Sequence, residues 1–410
     1  MIQSVTISLI LGNCSTFRIW SLSLKDYIKR TSIAAMATMF VFAASASIIP
    51  ISLVRISKEL NFSLTQGGSL GFISAMAQFV VLLISSYLAG KYGKLRLIKV
   101  ALLILSLGLF LFTKSSTFLL STILVLIIGF GQGFLEGLLT PLVEDLHPGD
   151  NGKKMNLLHA FWPIGVTFSV LFFGELLTRG TSWRVIFVIL ALVVLIIVSL
   201  YPSSKTINLP KSRTEFSHMG EIISKPRFWF FGFSLFFAGG AESAFAFWSA
   251  SYIQLEYNTN PRAGAIGAAL FAIGMVLGRL LTSRIAHRFK LKNIILISSL
   301  LSLGLSIVFF FIINISSLFI LMLFMGLTIA CLWPSIQSYA GSVMGVDITI
   351  LMIFLSCFGT PGYSSATILM GIIGDKYGLH TSFILSPIYL FLLAVVFFIS
   401  TRFKDSKKPL

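Results

Sequence analysis

Two carboxylates stand deep inside long apolar stretches of this 410-residue chain, Glu136 and Glu242. The rest of the 14 acidic residues fall in loops, tails or the ends of such stretches, with Glu175 near one end of its own. A carboxyl group in a low-dielectric bundle costs several kcal/mol unless it is paired or protonated, which makes it a natural reversible proton carrier. Glu136 is also part of a pattern. Gln132, Glu136 and Thr140 recur at four-residue spacing, so on a helix they share one face. Gly129, Gly133 and Gly137 form a second stripe, the kind that lets helices pack closely in a membrane. Pro141 then frees the carbonyl of Gly137.

The next apolar stretch begins NLLHAFWPIG. Asn156, His159 and Trp162 fan across one side at three-residue steps, and Pro163 leaves the carbonyl of His159 without its helical donor. A short acidic loop with Glu144, Asp145 and Asp150 joins the two stretches, so Glu136 and His159 are expected to approach each other. His159 then either takes part in ligand and proton handling or ties helices together. Gln78, with Ser74, and Gln337, with Trp333, are further candidates for a polar lining. Trp248 lies beyond Glu242, which follows the pair Gly239 and Gly240, a candidate weak point in its helix. Each glutamine either bonds across helices or contacts ligand, and each tryptophan either packs or offers a platform. As a lining, amides, an imidazole, a carboxylate and indoles suit a neutral polyhydroxylated solute, because amides bond hydroxyls in both directions and indole faces cover a sugar ring. Bulky cationic drugs would favour more acids and a more uniformly aromatic pocket.

The elements that must position these groups are membrane helices. Hydrophobic residues make up 56% of the chain and charged residues 11%, too few charges for a water-soluble surface. Apolar runs of about 18 or more residues match a hydrocarbon core of roughly 30 Å at 1.5 Å per residue. The strict alternation of a spanning strand is absent. Twelve spans are expected, near 31–54, 67–89, 95–113, 117–141, 153–176, 183–202, 228–254, 263–285, 293–313, 316–339, 348–373 and 380–401. The domains follow: a lead-in (1–30), a six-helix bundle (31–202), a linker (203–226), a second bundle (227–402) and a tail (403–410). With both termini in the cytoplasm, about 23 of the 31 basic residues fall on the cytoplasmic side, as the positive-inside rule asks. Arg279 is left over inside a span. The +17 net charge is thus a topology signal, and no nucleic-acid partner is needed to account for it. Cys14, Cys331 and Cys357 suggest no disulfide or metal framework.

The two halves repeat. A shift of about 197 residues brings SYLAGKYGK (Ser86–Lys94) onto SRIAHRFKL (Ser283–Leu291), each joining the second and third helix of its half, and pairs Glu59 with Glu256. A shift of about 195 aligns FAASA at Phe42 with FAGGA at Phe237. The first loop resembles that of the major facilitator superfamily in Leu88, Lys91, Gly93 and Lys94, while Gly90 and His287 stand where that motif carries an aspartate. The run EGLLTPLVEDLHPGDNGKKMNLLHAFWPIGV (Glu136–Val166) resembles the fucose–proton symporter family, which pairs a fourth-helix glutamate with a fifth-helix Asn-x-x-His. The resemblance implies two six-helix bundles about a central site, with Glu136 in sugar binding and proton coupling. That family's second acid, an aspartate in the first helix, has no counterpart between Asp26 and Glu59. Glu242 falls opposite Ser47 in the repeat and is the expected replacement.

The expectation is an all-α, multi-pass protein of the cell inner (plasma) membrane. It imports a sugar or sugar-like solute with protons by alternating access. Proton coupling falls to Glu136, Glu242 and His159, and the solute to Gln78, Gln132, Asn156, Trp162, Trp248, Trp333 and Gln337. No cofactor, metal or catalytic residue is expected. The partners are the solute, protons and lipid, and a monomer suffices. Two other readings stay open, a proton-coupled exporter of drugs or metabolites and a non-transporting sensor on the same fold.

Overall fold

A computed structural model describes residues 24–147, 153–202, 219–346 and 348–403. The expected lead-in through residue 23, most of the linker and the tail from 404 lie outside the described residues. Each half contributes six long helices. The first half has α1 (Leu24–Leu60), α2 (Leu64–Tyr92), α3 (Lys94–Phe112), α4 (Phe118–Leu146), α5 (Lys153–Thr178) and α6 (Trp183–Leu200). The second has α7 (Pro226–Glu256), α8 (Pro261–Ile285), α9 (Leu291–Val308), α10 (in two pieces, Ile315–Ile329 and Leu332–Met344), α11 (Ile348–Tyr377) and α12 (Leu385–Ser400). Among the described residues, eleven helices are long and apolar enough to cross a membrane, and α11 packs between α2 and α7 as the twelfth element.

The ends of these helices are written in local chemistry. Ser63 and Gln66 form a reciprocal capping box at the start of α2. Asn260 accepts from the amide of Ala263 just before Pro261 opens α8. Gly93, at φ 86°, makes the sharp turn from α2 to α3 that a side chain would strain. Beside it Lys94 donates to Asp145 at 2.7 Å and to the Pro141 carbonyl at 3.4 Å, pinning the end of α4. The helix α1 starts seven residues earlier than its apolar run, and Arg30 on that extension donates to the carbonyls of Leu200 (2.8 Å) and Ser199 (3.1 Å) at the end of α6.

Two departures from the expected spans have physical causes. The tenth span is not one helix but two, Ile315–Ile329 and Leu332–Met344. Pro334 has no amide to give the carbonyl of Ala330, so the chain turns at Cys331 and restarts with Pro334 in a first turn, where no donor is needed. Gly239 and Gly240 do not weaken α7, which runs unbroken through them. They are points of close approach: a Cβ on Gly239 would meet the Gly359 carbonyl, and one on Gly240 the ring of Tyr389.

Each half has its own apolar core, one built around Ile48, Leu105, Val125 and Phe187, the other around Phe231, Phe245, Met322 and Phe397. Small residues set the spacing between neighbours. The stripe Gly129, Gly133 and Gly137 lies against Ser74, Gln78 and Ser85 of α2, so α4 and α2 meet backbone to backbone. The halves close on each other at one end. There the Asp375 carboxylate accepts from the amides of Leu64 and Thr65, both at 2.8 Å, bonding α11 to the start of α2. Glu175 of α5 accepts from Arg262 of α8 at 2.6 and 2.9 Å, and Gly174 sits on Ala265 just inside.

Candidate functional site

Midway along α4, the polar stripe turns inward. Gln132 is buried and tied on both sides: its Nε2 donates to Ser45 Oγ of α1 at 3.0 Å, and its Oε1 accepts from Ser74 of α2 at 3.4 Å. One turn on, Glu136 lies deep in the bundle's mass yet its side chain is accessible, the combination expected of a group lining an open cavity. Among the described residues it makes no hydrogen bond or ion pair. A further turn brings Thr140 to His159 of α5, Oγ1 to Nε2 at 3.1 Å. His159 is accessible too. Glu136 and His159 thus face the same space, but the imidazole is held by Thr140. The side chain of Asn156 lies outside the described residues.

The second half supplies Glu242 on α7, half-buried, and two groups in its field. Tyr363 of α11 feels the Glu242 carboxylate, and Arg279 of α8 acts electrostatically on both Glu242 and His159. Sequence reasoning registered Arg279 only as a basic residue out of place in a span, and it passed over Tyr363. The signal for Arg279 was its cost, since an arginine within a membrane helix requires a polar surrounding.

The remaining candidates are placed as follows. Gln78 is half-buried on α2, its backbone carbonyl against Gly133. Gln337 donates to Ser356 Oγ (3.0 Å) and the Met352 carbonyl (3.3 Å), joining the second piece of α10 to α11. Trp162 packs edge-on against Phe42 with centroids 4.7 Å apart. Trp333 covers Gly359, where a Cβ would strike its ring. Trp248 is fully buried, donates to the Thr367 carbonyl at 3.1 Å and lies against Phe247. Three indoles therefore spend their faces on protein. A cleft lined by Leu53, Ser57, Leu64, Ser251 and Asp375 sits at the closed end, apart from these groups.

The arrangement offers a carboxyl without a side-chain partner among the described residues, a histidine held by a hydroxyl, and a separate acid–arginine–tyrosine group, all between two bundles closed at one end. It suits reversible binding of a proton and a polar solute, and among the described residues it contains no nucleophile–base pair aimed at a reacting bond.

The Major Facilitator Superfamily model matches residues 34–348 and 249–410. The membrane protein MosC of Rhizobium meliloti is 26% identical over 384 residues, covering 90% of this chain and 91% of MosC. A bacterial homologue of the human lysosomal transporter Spinster, solved inward-facing and unoccupied, superposes with a TM-score of 0.78 at 15% identity, over 92% of this chain and 98% of that one. The E. coli fucose:proton symporter FucP superposes with a TM-score of 0.64 at 17% identity, over 92% of this chain and all of that one (100%). The chain therefore belongs to the Major Facilitator Superfamily: it is a multi-pass membrane transporter of this fold, and not an enzyme.

Proposed function

We infer that the protein imports a sugar-like solute together with protons, working by alternating access about the cavity between the two bundles. The observation that carries this reading is Glu136, an accessible mid-span carboxyl with no side-chain partner among the described residues, one turn from a Gln132 already tied on both sides and one turn from the Thr140–His159 contact. A carboxyl so placed gains or loses a proton without breaking a structural bond, and a solute hydroxyl that bonds it makes its affinity depend on its charge. The similarity to a fucose:proton symporter supports the same reading. In this scheme the end carrying the Lys94–Asp145 anchor is cytoplasmic, as the basic residues indicate, and Glu175–Arg262 and Asp375 close the outer end. Solute and proton bind at the midplane, the neutral Glu136 permits rocking, and release of the proton inside resets the carrier.

The test is uptake by purified protein in liposomes under an imposed inward proton gradient, with labelled hexoses and deoxyhexoses. Accumulation that needs the gradient and is abolished by Glu136→Gln is the expected result. Expulsion of solute under that gradient would move the assignment to an exporter.

A further inference from the structure

Among the charged groups within the bundle, Arg279 stands apart because its position is fixed by geometry that the proposed proton chemistry does not use. At the closed end α5 and α8 run antiparallel in contact, Gly174 on Ala265. From that point His159 lies about four turns down α5, and Arg279 about four turns down α8. Four turns also bring Arg279 back to within about 40° of the face that carries Ala265. Arg279 thus projects from the second bundle toward the first, at the depth of His159 and the Thr140 contact. The preceding residue, Gly278, about 100° round the helix, packs on Leu327 and Ala330 of α10.

Among the described residues the guanidinium at that position makes no hydrogen bond and no ion pair. Its Nε is buried without a hydrogen-bond partner, and none of the ion pairs among the described residues engages it. Glu242 and His159 lie within its field but are not bonded to it. A membrane arginine is costly, and a buried charged donor left unmade costs more, so the arrangement calls for an acceptor from elsewhere. A guanidinium fork matches a planar carboxylate with two parallel bonds. A dianionic phosphate fits less well, because a single arginine would face it with the Glu242 carboxylate in the same field.

We propose that Arg279 anchors a carboxylate on the transported solute, so that the cargo is an acidic sugar-like molecule of the hexuronate kind, its hydroxyls lying toward Glu136 and Thr140. This rests on the sugar-import reading and narrows it.

The experiment uses the full chain in liposomes with an inward proton gradient and matched labelled pairs: glucose with glucuronate, galactose with galacturonate, and fucose. Wild type, Arg279→Gln and Arg279→Lys are compared, each first shown to be monodisperse with an unchanged thermal transition. The expected result is that a uronate enters at least about tenfold faster than its neutral partner. Arg279→Gln should remove that preference, and Arg279→Lys should keep part of it, since an ammonium supplies the charge without the fork. Uptake of neutral sugars that ignores both substitutions, with no uronate carried, would overturn the carboxylate anchor and leave sugar import standing. Uptake of neither class would overturn both.

Discussion

Thr140 Oγ1 and His159 Nε2 lie 3.1 Å apart, joining the polar face of α4 to the early part of α5 across the short loop between them. The contact orients an accessible imidazole. Removing the hydroxyl frees the ring without removing it. Thr140→Val is therefore expected to weaken solute binding by about fivefold, the worth of one hydrogen bond of about 1 kcal/mol, with the fold intact. The KM for uptake, compared with His159→Ala, is the measurement. An unchanged KM in Thr140→Val would mean that the ring needs no orienting.

Gln132 is a different case. Bonded to both Ser45 and Ser74, it links α1, α2 and α4 within the first bundle. Gln132→Leu removes two interhelical bonds and strands the Ser74 hydroxyl, while Ser45 keeps its bond to the Phe42 carbonyl. A loss of about 1–2 kcal/mol is expected, since such bonds within membranes average well under 1 kcal/mol each and a stranded group adds to that. A lowered thermal midpoint in detergent would report it. A loss of uptake at full stability would instead make Gln132 a ligand contact.

How far this site could be read from the sequence depends on what each residue answers to. Hydropathy and spacing answer to the bilayer, so the spans, the glycine stripe of α4 and the inward turn of Gln132, Glu136 and Thr140 were legible before any coordinates. The partner of each side chain was not, because it is set by helices distant in sequence. His159 was expected near Glu136 and is bonded to Thr140, one turn away. The break in α10 followed from Pro334 and a restart only three-dimensional packing could show. Arg279 was visible as a cost, but its facing toward α5 depends on Ala265 meeting Gly174 across the two bundles.

The α4 glycine stripe gives a paired test of packing. A side chain on Gly129 would collide with Ala77 Cβ, 2.8 Å from its own Cβ position, and with the α2 backbone. Gly129→Leu should cost at least about 1–3 kcal/mol through overpacking. Gly304 on α9 has nothing within 4 Å, and Gly304→Ala should gain up to about 1 kcal/mol by stiffening the unfolded chain. Thermal unfolding of the two variants side by side separates packing from helix propensity. Equal effects would mean that the stripe does not set the α2–α4 distance.

Lys94 and Asp145 carry the anchor that the loop between α2 and α3 makes without the aspartate usual to that motif. Both side chains are largely shielded, with 7% and 18% of their surfaces accessible, so neither is easily left alone. Lys94→Met is expected to destabilise the first bundle by about 1–3 kcal/mol, the range for stranding a shielded polar partner. The exchange Lys94→Asp with Asp145→Lys should recover part of it, because the charges are restored though the Pro141 carbonyl loses its donor.

The closing contacts at the far end carry the last prediction. Glu175 holds Arg262 across the two bundles, and Asp375 holds the first amides of α2. Neither carboxylate faces the cavity groups, so their loss should alter the balance of conformations and leave the binding chemistry alone. Spin labels on the outer ends of α5 and α8 would read this directly. In Glu175→Gln with Asp375→Asn, the distribution of distances should move toward longer values, and a thiol placed beside Gly174 should become reactive from outside. An unchanged distribution would mean that close backbone contacts such as Gly174 on Ala265 and Gly68 on Thr367, which also carries a hydrogen bond from Thr367 Oγ1 to the Gly68 carbonyl, hold this end closed by themselves. Because alternating access requires both closures to be reversible, the double variant should also lower the rate of uptake while leaving solute affinity near that of the parent.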